Sequence, residues 1–401
     1  MTHDIDQDLR QALHRRAATT PHRPDLARAV IRHAHTIQRR RRVTGFVTAL
    51  ALVAVAVPLG IRAGDLTSRS SEQPQIADTP DPEPSGVTVQ IGDLGELAED
   101  QVPQVAYLED STLVVGEDRI QLGLEPAQVA GVVYAGGSAF FAVRGDTGGL
   151  DLRVESNAAD WPDSLGPIQQ GPWASADQRY VAWLRDGQIA GIDTETGDEL
   201  AVSVGAVDLL RVVGFAGDTL YFAEDRSRDV LRRWTIGSES TGPVGGLEQG
   251  TAVSPDATLV ADMVKVTDYG TCTEMRDMTT GDSLWETCDY RVLGFSPGGT
   301  YVWGADSYGD GFAESYNVVL DARTGELAMR IDRPRRASET TFFMDSAFET
   351  EDTLLLLLLR GQQATIARCD VLAGECTRAT PVADVPGDPL VDGLPFRLLS
   401  G

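Results

Sequence analysis

Residues 98–401 predict an all-β fold, a β-propeller of seven four-stranded blades, and three observations carry that prediction. From Val105 onward, short β-branched or aromatic runs such as 131–135 (GVVYA), 180–184 (YVAWL) and 317–321 (NVVLD) alternate with Gly, Asp and Ser turns. No long stretch has a helical period. Two turn motifs also recur. Asp-x-x-x-Gly followed by an acidic residue starts at Asp193, Asp277, Asp321 and Asp370, at intervals of 84, 44 and 49. The first interval is a double unit, so a degenerate copy is expected near 234–242. A Ser-led turn entering a strand starts at Ser175, Ser254 and Ser296, with weaker forms at 215–218 and 134–137. Finally, 105–397 is 293 residues, or seven units of about 42. One four-stranded blade cannot bury both faces of its sheet, whereas blades stacked in a ring can. The run 354–359 (LLLLLL) has no polar alternation and fits a strand covered on both sides. Units are expected to start near 105, 131, 173, 212, 251, 291 and 341.

Three segments precede the propeller. Residues 1–42 hold ten Arg and four Asp, a net charge of +6. Residues 43–61 (VTGFVTALALVAVAVPLGI) contain no ionisable group, and nineteen residues at helical rise span a bilayer core of about 30 Å. The remainder carries a net charge of −32, which completes the total of −26. The positive-inside rule therefore predicts a single-pass protein of the cell membrane, with a cytoplasmic N-terminus and an extracytoplasmic acidic body. A cleaved export signal would have a shorter head and a small-residue cleavage site, and neither is present. Residues 62–97 read as a Pro-rich, acidic extracytoplasmic linker. In the head, 4–18 and 24–39 each have one apolar stripe and are expected to be helical, a short cytosolic segment able to bind a cytosolic protein. Arg39 to Arg42 suit anionic lipid better than nucleic acid, and no nucleic-acid partner is expected.

The side chains available outside the membrane restrict the chemistry. All five histidines (His3, His14, His22, His33, His35) precede the apolar run. A Ser-His-Asp triad, a Cys-His pair or a histidine-ligated metal is thus excluded from the acidic body. The four cysteines (Cys272, Cys288, Cys369, Cys376) lie beyond the run, and an even count in an oxidising compartment reads as disulfides. Cys272 with Cys288, and Cys369 with Cys376, each flank a turn symmetrically, which favours these two pairs. Asp306, Asp310 and Glu314 beside Gly309 and Gly311 form the best cation candidate, and calcium is the one cofactor such a group would suit. Asp160 with Asp163, and Asp225 with Asp229, are carboxylate pairs that could work as acid and base if the fold converged them. The six tryptophans recur near strands and read first as core.

The segments 295–303 (FSPGGTYVW) and 253–261 (VSPDATLVA) resemble the strand-entry signature of WD-repeat and TolB-like β-propellers. No Trp-Asp dipeptide ends a blade and no Gly-His begins one, so the WD structural tetrad is not expected. The overall layout resembles actinobacterial single-span proteins with an exported propeller. The membrane run, the repeat and the lack of histidine beyond that run together predict a binding or interaction module acting on an envelope or extracellular ligand through loops at one end of the channel. Two other functions are compatible with the residues: a carboxylate- or calcium-dependent hydrolase or lyase on the same fold, and a single-span regulator whose head resembles that of an anti-sigma factor.

Overall fold

The computed structural model describes residues 86–399, apart from 146–147, 157–160, 206–209, 225–229, 246, 248, 268–269, 309–313, 335–339, 386 and 390–392. The expected cytosolic segment and membrane span lie outside the described residues. Among those described there is no α-helix, only two single-turn 3-10 segments, and no helix is long and apolar enough to cross a membrane.

Seven sheets make the seven blades of a propeller. Six blades are built from consecutive strands, each followed outward by an antiparallel neighbour. Their inner strands are Val129–Ala135, Gln170–Ala174, Leu210–Ala216, Gly250–Val253, Tyr290–Phe295 and Thr341–Phe348. These starts fall within a few residues of those expected from the repeat. The unit expected to open near 105 differs. Its strands Tyr107–Glu109, Thr112–Val115 and Asp118–Gln121 are the outer three of a blade whose inner strand is Phe396–Leu398. Tyr107 pairs with Leu398, and Glu109 with Phe396. This blade joins the two ends of the described chain and closes the ring.

The predicted turns sit where the fold needs them. Each Asp-x-x-x-Gly motif links the third and fourth strands of a blade. Asp277 Oδ1 accepts from Thr279 N at 2.8 Å and Thr280 N at 2.9 Å, and Asp321 Oδ1 accepts likewise from Arg323 N and Thr324 N. Gly325 follows at φ +74°, where a Cβ would also strike the Trp285 ring. The degenerate copy near 234–242 is the turn between Arg232–Thr235 and Gly242–Pro243. The Ser-led motifs link first and second strands. Ser254 Oγ donates to Asp256 Oδ1 at 2.7 Å and accepts from Leu259 N at 2.8 Å. In the third copy Gly298 stands where aspartate would be. Glu351 of the next blade replaces the missing carboxylate, accepting from Ser296 Oγ at 2.8 Å, from Thr300 N at 2.7 Å and from Gly298 N. Burial pushes the Glu351 carboxyl up, but these donors outweigh it and hold the group below the ordinary glutamate range.

The core lies between blades. Along Thr353–Arg360, Leu354, Leu356 and Leu358 pack against Met329, Ile331 and Val319 of one neighbouring blade. Leu355, Leu357 and Leu359 pack against Tyr107, Phe396 and Leu398 of the other. Both faces of this strand are apolar because both are covered. Residues 87–97, read from the sequence as the end of the linker, belong to this body. Val87–Gln90 adds a parallel fifth strand to Leu327–Asp332, and Ile91 and Leu94 are fully buried against the Met329 cluster. Their alternating Val87, Val89 and Ile91 pattern was hidden by the acidic and Pro-rich residues before it. The ordered body therefore starts ahead of the expected boundary at 98.

Both expected disulfides are formed. Cys369 pairs with Cys376 across neighbouring strands, with Cα atoms 4.1 Å apart, and Cys272 pairs with Cys288 at 4.0 Å. The Cys272–Cys288 ring spans 16 residues of chain and the Cys369–Cys376 ring 7. Replacing both Cys272 and Cys288 by alanine is expected to cost about 3 kcal/mol, and replacing the other pair about 2 kcal/mol. Urea unfolding of each double variant against the parent checks this, and a larger loss at the shorter ring would contradict the loop-length account.

Candidate functional site

The inner strands surround a channel with a cavity at each end. The larger, ≈ 760 Å³, lies at the end carrying the Ser-led turns and receives side chains from all seven blades. Its wall mixes apolar and polar surface. Tyr134, Trp173, Phe215, Phe295, Trp303 and Phe348 contribute rings from five blades. Phe215 is buried, and the other five keep part of their surface open. A cavity of this volume lies in the small-molecule range, roughly 300–1,000 Å³. The sequence could not reveal this convergence, because the rings are separated along the chain and only the ring closure brings them together.

Two carboxylates reach this cavity among the described residues, and they differ. Glu349 accepts from Arg368 Nε at 2.6 Å and Nη2 at 3.0 Å, so its charge is spent on a structural pair. Among the described residues Asp345 has no ion pair. Its Oδ1 accepts from Ser346 N at 2.8 Å, and it lies at a register shift of the inner strand Thr341–Phe348. Burial pushes the Asp345 carboxyl up to about 6, although the Ser346 amide and the charge of Arg397 both pull it down. Asp345 lines the second cavity as well, and so marks the waist of the channel. That cavity, ≈ 480 Å³, also takes Arg144 and Arg397. Arg397 Nη1 donates to Val129 O at 2.8 Å, tying the closing strand to the next blade.

The sequence-predicted cation group is only partly visible. Asp310 lies outside the described residues. Asp306 Oδ1 accepts from Tyr308 N at 3.0 Å. Glu314 forms an ion pair with Arg291. Burial raises the Glu314 carboxyl above its ordinary range, and the arginine opposes that rise. Glu314 already has a cationic partner that a calcium ion would have to displace. Cys272, Cys288 and Glu286 also cluster, but the two sulfurs are joined and offer no thiolate. Asp160 of the first proposed acid–base pair, and both Asp225 and Asp229 of the second, lie outside the described residues. Of the tryptophans, Trp183 and Trp234 are fully buried core, whereas Trp173 and Trp303 line the channel. Asp345 and Arg397 were not singled out from sequence. The available signal was a lone acid inside the apolar run TFFMDSAF at 341–348.

No known family model matches the chain, and no curated protein matches it. Among solved structures, TolB from Acinetobacter baumannii is similar at 15% identity, covering 56% of this chain and 62% of that chain, with a TM-score of 0.38. The β-propeller domain of the Trilobed protease from Pyrococcus furiosus is similar at 10% identity, covering 63% and 84%, with a TM-score of 0.45. Prolyl oligopeptidase B from Galerina marginata is similar at 10% identity, covering 63% and 43%, with a TM-score of 0.42. The fold and the channel are assigned above from this chain's own strands and side chains.

Proposed function

We propose that this chain is a membrane-tethered, extracytoplasmic binding module whose ligand enters the aromatic end of the channel. The observation that carries the reading is the ≈ 760 Å³ cavity walled by six aromatic rings from five blades. Aromatic rings give large contact area at low conformational cost, and they suit a ligand that presents an apolar or ring-faced segment. The uncharged run 43–61 between a basic head and an acidic body supports the tether. The two disulfides fit an oxidising compartment outside the membrane. The cavity's two carboxylates are not equivalent partners for acid–base work, since Glu349 is held by Arg368. Binding is therefore favoured over carboxylate-driven hydrolysis at this site.

Two measurements test the reading. Fractionated peptides and glycans of the cell envelope are titrated against the full-length protein while tryptophan emission is followed. A fraction that shifts the emission is expected, and Trp173→Ala is expected to weaken its binding about tenfold, or about 1.4 kcal/mol. No responding fraction, or an unchanged affinity in the variant, removes the binding reading. Membrane pellets washed with carbonate should retain the intact chain, and its release into the wash would remove the tether.

A further inference from the structure

The second cavity has a charge arrangement that runs against the rest of the molecule. The described arginines are mostly paired in a body with excess acid: Arg119 with Glu109, Arg179 with Asp193, Arg185 with Glu199, Arg291 with Glu314 and Arg378 with Glu99. Arg144 and Arg397 are two of the described arginines without such a carboxylate partner. Both line the ≈ 480 Å³ cavity, and among the described residues neither lies within ion-pair distance of a carboxylate. They are close enough to feel each other. Burial pushes the Arg397 guanidinium down, the charge of Arg144 pushes it further down, and Asp345 opposes both. One donor of Arg397 is used on Val129 O. A guanidinium has five, so most of its hydrogen-bonding capacity is left.

Met344 and Leu394 also border the cavity, while Leu357 and Phe396 behind them are buried core. The volume is in the small-molecule range, roughly 300–1,000 Å³. Two guanidinium groups lining one cavity match an oxyanion, because planar forks bind carboxylate and phosphate through paired hydrogen bonds. We propose that this cavity is a binding site for the oxyanion head, carboxylate or phosphate, of a small acidic ligand held by Arg144 and Arg397. Asp345 at the waist sets the depth, since its carboxylate repels the head and keeps it at the arginine end. The site is at the opposite end of the channel from the aromatic cavity and does not depend on what that cavity binds.

The test uses the full-length protein and three sodium salts at equal ionic strength: benzoate, phosphate and chloride. Benzoate or phosphate is expected to raise the melting temperature above the chloride value in a saturable way. Tighter binding of benzoate assigns a carboxylate head, and tighter binding of phosphate assigns a phosphate head. Arg144 is exposed, so Arg144→Gln should melt like the parent without ligand and bind the preferred anion at least tenfold more weakly. Arg397→Lys keeps a charge but loses the fork, and should show an intermediate loss. The proposal is overturned if neither oxyanion exceeds chloride, or if Arg144→Gln binds as tightly as the parent.

Discussion

Replacing Phe396 by alanine is expected to destabilise the protein by about 3–5 kcal/mol, the range for emptying a large buried aromatic site. Phe396 is 2% exposed and packs with Leu355, Leu357, Leu359 and Tyr107. Its strand is the inner member of the closing blade and pairs with Tyr107–Glu109. The side chain therefore holds two things together, a core cluster and the seam of the ring. Urea unfolding of the full-length chain, followed by near-ultraviolet circular dichroism, measures the change. A loss below about 1 kcal/mol would mean that the seam does not rely on this contact.

The second large effect concerns acid. Asp345→Asn is expected to change how stability depends on pH rather than to shift it by a constant. The carboxyl is near 6 in the folded protein and near its ordinary value of 3.8 in the unfolded chain. Between these values the folded state binds more protons than the unfolded state. Asp345 thus favours the folded state below about pH 4, and this contribution is lost as pH rises through about 6. A shift of about two units corresponds to about 3 kcal/mol, reduced to about 2 kcal/mol by water in the channel. The stability difference between Asp345→Asn and the parent should therefore move by about 2 kcal/mol in favour of the variant from pH 4 to pH 8. Other acids run the opposite way. Hydrogen bonds from the Gln101 amide and Thr377 hold Asp100 low, and the Thr280 and Thr279 amides hold Asp277 low. Both are present in parent and variant alike, so they cancel in the difference. Parallel curves for the two proteins would show that Asp345 has an ordinary pKa.

Much of the ring was legible in the amino-acid sequence because its turns are local. An aspartate that accepts amides two and three residues on, followed by a glycine at positive φ, is a feature of one short segment, and it repeats wherever a blade needs that turn. The two disulfides were legible for the same reason, since each closes a short local ring. What was missed is long-range. The inner strand of the first blade comes from Phe396–Leu398, and no local pattern ties those residues to Tyr107. Val87–Gln90 pairs in parallel with a strand far along the chain, so its role depends on an edge that exists only after the sixth blade has formed. The channel groups are harder still. Asp345, Arg144 and Arg397 lie on three strands, and their meeting follows from the number of blades and the order of closure. Glu351 is the intermediate case. The absent aspartate in the Ser296 motif was visible, but the glutamate that replaces it comes from the adjacent blade.

The composite blade bears on biosynthesis. The innermost strand of that sheet, Phe396–Leu398, is made after all the other described strands, whereas its three partners precede the inner strands of the other six blades. Until that strand is made, Tyr107–Glu109 has an unsatisfied amide edge and the apolar flank of Leu355, Leu357 and Leu359 is uncovered. A nascent chain in this state is exposed to aggregation, as slowly completed sheets are. Its production should accordingly depend on holding factors that shield the open edge until Phe396–Leu398 emerges.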